Sequence, residues 1–438
     1  MPGKRSRELI WLPSVEERLQ RRYEKLVKEH LQVSQSVAAG LNALPGLATS
    51  FASTQAAWRF YHNEATTLPV LAEPLTRQAC AAMEQTCQHY GLVMHDWSHL
   101  NYNQHSRKTD RVTGVQSRQM GYELQTALLV SDRAGEPLAP LWQNVVTSAG
   151  VYTTRTEQRE VEQPHLDELT QRMKHLDQLP LGRPLVHIID REGDSVGHFR
   201  QWQGRLFLVR VKGGQRVQWA QQKPLLNEVA GELERSAAFV YCREVDYRGR
   251  LAHQYVAETT VVLTRAARPK RKGIKRQAVA GPPVSVRLVV SQVRDHTGRV
   301  LALWLLLTNL DPKVEAGQLV LWYYWRWRIE SFFKLIKGAG LHLEHWQQES
   351  GLAIAKRLLV VSMACVLIWQ LARNPSPEAA ELRRVLVRLS GRQMKQHKNF
   401  TMPAMLEGIW TLLAMLDLLE HYDLSKLKQL AETFFNPK

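Results

Sequence analysis

The chain has 438 residues, 44% of them hydrophobic and 23% charged, a balance that excludes a disordered polymer and leaves room for two or three folded units. Lysine and arginine outnumber aspartate and glutamate by 58 to 41, and the resulting net charge of +17 points to a polyanionic partner without separating DNA from RNA or an anionic membrane surface. The four cysteines (Cys80, Cys87, Cys242, Cys365) have no zinc-finger spacing and argue against a disulfide framework.

In chain order, the opening Met1-Pro2-Gly3-Lys4-Arg5 leads into no signal-peptide core. The longest apolar stretches, such as Leu301–Leu307 and Leu358–Leu371, are too short or too interrupted to span a bilayer, so a cytoplasmic setting is expected. Residues 1–70 read as a helical region. Ser14-Val15-Glu16-Glu17 has a capping-box pattern, and the helix it opens carries Arg18, Arg21, Arg22, Lys25 and Lys28 along one face. A basic-aromatic cluster follows at Trp58-Arg59-Phe60-Tyr61-His62; either segment fits a DNA backbone or a solvated helix face.

Strands are expected at Gly91–His95, ending at Asp96, and at Glu123–Ser131 and Pro140–Ser148, joined by a Gly135-Glu136-Pro137 turn. Pro184–Ile189 reads as a strand ending at Asp190, followed by a short helix over 194–202 and a strand at Arg205–Lys212. Strands followed by alternating strand and helix predict an α/β fold with a mixed sheet flanked by helices. Residues 213–300 break that alternation with β-rich runs at Ala238–Tyr247, His253–Leu263 and Val284–Val293, read as an insertion. Its loop, Arg265–Pro283, carries Arg265, Arg268, Lys270, Arg271, Lys272, Lys275 and Arg276, either available to phosphates or merely solvated. The strand Val300–Thr308 returns to the core pattern. One long helix is expected over Val314–Lys337, broken by Gly338-Ala339-Gly340, with further helices over 350–372 and beyond a Pro375/Pro377 linker.

Tyr323, Arg326, Glu330 and Lys337 sit at offsets 0, 3, 7 and 14 in that helix, within about 60° of one another at about 100° per residue. Trp325, Ile329, Phe332, Leu335 and Ile336 form the opposite, buried face. One carboxylate between two cations and a phenol suits a metal-binding acid beside a phosphodiester. The same spacing also fits a solvated helix with Arg326–Glu330 as an i,i+4 pair.

Tyr323-x2-Arg326-x3-Glu330-x6-Lys337, written YYWRWRIESFFKLIK, resembles the Y-R-E-K signature of bacterial cut-and-paste transposases of the insertion-sequence-four family, the group of the Tn-five transposase. Asp190-Arg191-Glu192-Gly193-Asp194 resembles that family's DRE-x-D segment, and Met94-His95-Asp96-Trp97-Ser98 sits where its first aspartate falls. Trp304-Leu-Leu-Leu-Thr308 resembles the strand before the catalytic helix, and Ala57-Trp58-Arg59-Phe60 a motif of the DNA-end-binding region. These segments fall in the family's order over residues 40–372.

The resemblance implies an RNase H-like (retroviral-integrase-like) mixed sheet with flanking helices, a β-rich insertion at 213–300, and helical terminal regions. The expected division is 1–70 for DNA-end binding, 71–372 for the catalytic domain and 373–438 for a helical C-terminal region. It further implies a DNA transposase in which Asp96, Asp190 and Glu330 are catalytic and bind two Mg²⁺ ions, with Mn²⁺ able to substitute. Tyr323, Arg326, Lys337, Arg210, Lys212 and Arg59 would contact DNA; Trp304, and Trp327 as a second candidate, would occupy the place of a flipped base. The implied partners are double-stranded DNA, as transposon ends and target, and a second copy of the chain. A catalytically silent DNA-binding regulator and a related metal-dependent nuclease are the alternatives. Trp97 and Ser98 depart from the small hydroxyl residues expected beside the first aspartate. The C-terminal portion is short, with Met405–Leu419 as the apolar helix left to serve a dimer.

Overall fold

The computed structural model describes residues 10–32, 50–114, 118–267, 277–338, 341–394 and 398–435. Outside them lie the opening Met1-Pro2-Gly3-Lys4-Arg5, the loop residues Arg268, Lys270, Arg271, Lys272, Gly273, Lys275 and Arg276, and the helix-breaking Ala339-Gly340.

Three helices come first: α1 (Glu17–Gln32), α2 (Ser50–His62) and α3 (Leu68–Thr86). Ser14 does not cap α1 as its sequence pattern suggested; its hydroxyl donates to Glu73 on α3 at 2.9 Å, so it ties two helices together. The cations expected on one face of α1 are largely exposed, and pairs such as Lys28–Glu24 at 2.7 Å neutralise part of that stripe.

The strands β1 (Gly91–Asn101), β2 (Val112–Thr113), β3 (Met120–Ser131), β4 (Pro137–Thr147) and β5 (Gly150–Thr153) follow, then α4 (His165–Leu176) and β6 (Leu185–Ile189). A 3-10 turn (Arg191–Gly193), α5 (Val196–Gln201), β7 (Leu206–Arg210) and α6 (Leu226–Arg235) complete the alternating part. Next come β8 (Val240–Tyr247), β9 (Arg250–Leu263), β10 (Val284–Arg294) and β11 (Val300–Thr308), and then α7 (Ala316–Tyr324) and α8 (Trp327–Lys337). The chain closes with α9 (Gly351–Arg373), α10 (Pro377–Leu389), α11 (Met402–His421) and α12 (Leu424–Phe435).

The fold is a mixed α/β arrangement about one large sheet. Its order is β5-β4-β3-β1-β6-β7-β11-β10-β9-β8, with β2 paired to β3. β1, β3 and β4 are antiparallel, β1–β6 and β6–β7 are parallel, and β11 rejoins β7 antiparallel through Leu306↔Arg210, Leu307↔Val209 and Thr308↔Leu208. The region 213–300 therefore does not stand apart from the core: its strands extend the same sheet, and α6, absent from the sequence reading, lies within it.

Helices cover both faces. One apolar cluster joins α1–α3, α7–α9 and α11 to β1, β3 and β4, drawing on residues from Leu19 to Trp410. A second joins α4, α5 and α6 to β7, β9 and β10. Two helices, α9 and α11, are long and apolar enough by composition to cross a membrane, contrary to the sequence expectation, but the most apolar window of α9 is almost wholly buried inside the protein.

Two further expectations are corrected. β1 runs five residues beyond Asp96, because it keeps its pairing with β3 as far as Asn101↔Gly121 after losing β6 at Met94↔Ile188. The single helix expected over Val314–Lys337 is two, α7 and α8, separated by a turn at Trp325–Arg326.

Candidate active site

The site forms where β1 and β6 part company. β1 loses its parallel neighbour after Met94, so Asp96 lies two residues past the last shared rung, half-buried rather than sealed in the sheet. β6 ends at Ile189, and Asp190 turns the chain into the 3-10 turn, its carboxylate accepting the Glu192 amide at 2.9 Å. Side chains alternate across a strand, so Asp96 and Ser98 share the face that α8 packs on, while His95 and Trp97 take the other. α8 brings Glu330 to that face in its first turn.

Arg326 links the acids. Its Nη1 donates to Asp96 Oδ2 at 2.8 Å and its Nη2 to Glu330 Oε1 at 2.9 Å. Only 11% of its side chain is exposed, and its Nε is buried without a hydrogen-bond partner. Burial works against the guanidinium's charge, but Tyr323, Asp96, Glu330 and Asp190 together hold its pKa above the ordinary value. Burial raises the Asp96 pKa; Arg326 and the Trp97 amide pull it back, and repulsion from Asp190 and Glu330 adds to the rise. Asp96 and Glu330 thus share Arg326, while Asp190 acts on them as a nearby charge only.

The other predicted residues divide. Tyr323 is buried, with its ring edge-on to Trp304 at 5.3 Å between centroids, and Arg210 lies over the same indole at 5.7 Å. Burial raises the Tyr323 pKa while Arg326 and Arg210 oppose that rise. Trp327 is half exposed beside Arg326, 5.6 Å from the guanidinium. Lys337 donates to the Ser98 hydroxyl at 3.3 Å and the His99 carbonyl at 2.7 Å and pairs with Glu344 at 2.9 Å, so it is held along β1 two to three residues beyond Asp96. Lys212 has an exposed side chain, and its amide donates to Asp194 at 2.8 Å, fastening the end of β7 to the turn after Asp190. Arg59 is exposed on α2, which packs on α1 and α9; among the described residues it has no bond to the carboxylate site.

Sequence reasoning missed the acid-imidazole group on the α4 side. His165, the first residue of α4, meets Glu123 of β3 at 2.9 Å and Glu192 at 3.8 Å, and its ring lies 4.4 Å from Trp97. The Glu123 contact raises the His165 pKa against the pull of burial. Burial and Asp190 raise the Glu192 pKa. No local pattern signals this group, because its members are far apart in the chain.

Among the described residues no three His, Cys, Asp or Glu side chains converge closely enough to hold a metal ion as they stand. Asp96, Asp190 and Glu330 carry hard oxygen donors of the type a divalent cation takes, and Arg326 bridges the first and the last of them. No protein-family model matches the chain, and no curated protein matches it.

Proposed function

We propose that the chain is a metal-dependent DNA transposase built on an RNase H-like core, resembling the insertion-sequence-four family. The observation that carries this reading is the Asp96–Arg326–Glu330 bridge, which gathers three residues of the sequence signature across 234 positions of chain. The strand order β4-β3-β1-β6-β7, with three antiparallel strands and then two parallel ones, supports the RNase H-like assignment.

Asp96, Asp190 and Glu330 would hold two Mg²⁺ ions, which supply Lewis-acid stabilisation of the entering and leaving oxygens of an in-line displacement. The chain's own residues do the rest. Arg326, at the bend between α7 and α8, offers a guanidinium to a phosphate oxygen. Arg210 stands over Trp304 and offers a second cation to the backbone. Lys337 fixes α8 to β1, holding Glu330 in line with Asp96. The half-exposed indole of Trp327 gives a displaced base a surface to stack on, and Trp304 a second once it is uncovered. In the first reaction water attacks phosphorus and the 3′ oxygen leaves with a proton; the freed 3′-hydroxyl then attacks a second phosphodiester, whose own 3′ oxygen leaves and takes up the proton the attacking hydroxyl gives up. The chain works on double-stranded ends and target DNA in a bacterial cytoplasm, as a homodimer for which the exposed apolar face of α11, including Leu416 and Leu419, is available.

The test is Mg²⁺-dependent cleavage of a labelled duplex carrying the element's own end. Wild type nicks it specifically and joins the 3′ end to a second strand, while Glu330→Ala binds but does not cut. Binding by both proteins with cleavage by neither replaces this reading with that of a silent DNA-binding regulator. Cutting of scrambled ends equally well replaces it with that of a nuclease.

A further inference from the structure

We infer that Arg326 is the resident counter-cation of the carboxylate site in the DNA-free protein, and that it yields this place to divalent metal when a phosphodiester takes up its guanidinium. The inference rests on the proposed carboxylate site and concerns what fills it before substrate arrives.

The geometry carries it in three ways. First, the two terminal nitrogens of Arg326 are spent on different acids, Asp96 at 2.8 Å and Glu330 at 2.9 Å, so the guanidinium lies between groups that a metal must draw together. Second, the clamp is incomplete. Nε is buried with no acceptor, an unsatisfied donor beside two satisfied ones. Once the guanidinium turns out of the clamp, two phosphate oxygens satisfy Nε and a terminal nitrogen together, in the fork geometry that favours Arg for phosphate. Third, the residue lies next to solvent. It occupies the two-residue turn between α7 and α8, outside either helix, and its guanidinium already lies 5.6 Å from the half-exposed Trp327 ring.

The consequence is a metal site coupled to DNA. A phosphodiester that draws Arg326 away raises metal affinity, and by reciprocity bound metal raises DNA affinity by the same factor. Free protein then holds metal weakly and is spared indiscriminate hydrolysis of its surroundings.

The test is calorimetric titration of Mn²⁺ into DNA-free wild type, Arg326→Gln, Arg326→Lys and the double variant Arg326→Gln/Glu330→Gln. Arg326→Gln is expected to bind Mn²⁺ at least about tenfold tighter than wild type. Arg326→Lys, with one point charge instead of a fork, falls between them, and the double variant loses the gain. Because Arg326→Gln leaves two acids without their partner, thermal melts accompany each titration; Mn²⁺ is expected to raise its melting temperature more than that of wild type. A short duplex added to wild type should tighten its Mn²⁺ binding toward the Arg326→Gln value. Equal or weaker Mn²⁺ binding by Arg326→Gln, beside a wild type that binds Mn²⁺ and cleaves, overturns the exchange and leaves the carboxylate site standing. Absence of Mn²⁺ binding in every protein, with no cleavage by wild type, overturns both.

Discussion

His30 of α1 is fully enclosed, its Nδ1 2.6 Å from the Leu26 carbonyl and its Nε2 3.1 Å from the Arg357 Nε of α9. An arginine can only donate, so Nε2 must accept and the proton sits on Nδ1. Burial, then Arg357, pushes the His30 pKa down to about 3. The folded state thus favours the neutral ring, and its full contribution is present above the unfolded value of 6.5. Stability is lost as pH falls from there toward 3, with a limiting slope of about 1.4 kcal/mol per pH unit. Glu29 beside it, raised by burial to about 6, acts the opposite way: its protonated form is favoured on folding, so it gains stability as pH drops from 6 toward 4.5. Urea melts of wild type and His30→Gln between pH 7 and 4 separate the two, and the acid loss should be shallower in the variant. At this scale the sequence singled out residues but left most of their contacts unstated. Asp96, Asp190, Glu330 and Arg326 announce themselves by spacing and neighbours. The Arg326–Glu330 contact could be read from its i,i+4 spacing, but the reach of Arg326 to Asp96 depends on β1 meeting α8, and nothing near Arg326 in the chain reports that meeting.

The break between α7 and α8 is the element on which the site turns. Trp325, at the break, is buried against Gly135 in the turn between β3 and β4; a Cβ built on Gly135 would lie 2.4 Å from the indole, and its φ of +69° already favours glycine. Gly135→Ala is expected to cost about 1–3 kcal/mol and to lower cleavage further than its stability loss accounts for, because displacing Trp325 displaces Arg326. Gly182→Ala is the control: its φ is +74° but nothing stands within 4 Å, so it carries the backbone cost alone. Equal loss of melting temperature in both variants would remove Trp325 from the argument. The sequence pattern could not show the break, since Tyr323 to Lys337 keeps a helical apolar period straight through it. The strands were more legible: β6, β7 and β9–β11 fall within a few residues of expectation because buried runs bounded by turn residues leave few alternatives. α4 and α6 were passed over although Leu166, Leu169, Met173 and Leu176, and Leu226, Val229, Ala230 and Leu233, repeat at helical spacing.

For the whole molecule the net charge of +17 sets an expectation independent of any one side chain. Duplex binding should weaken about a thousandfold or more between 50 and 200 mM salt if six or more phosphates are neutralised. Filter binding across that range checks it, and a flat response would mean that the cations face solvent rather than DNA. The α/β class and the mixed sheet followed from the alternation of strands and helices. The continuity of that sheet did not, because edge-to-edge joining of β11 to β7 is a pairing across about ninety residues that no periodicity encodes.

That pairing has a bearing on biosynthesis. β7 leaves the ribosome with β6 on one side and nothing on the other, and its partner β11 is made only after the whole of β8–β10. Until then Leu206–Arg210 is an apolar strand with an open ladder, the kind of edge that recruits other chains. A nascent chain stalled or cut after Arg235 should therefore aggregate rather than persist as a folded fragment, and pelleting of such a truncation beside the intact chain would show it.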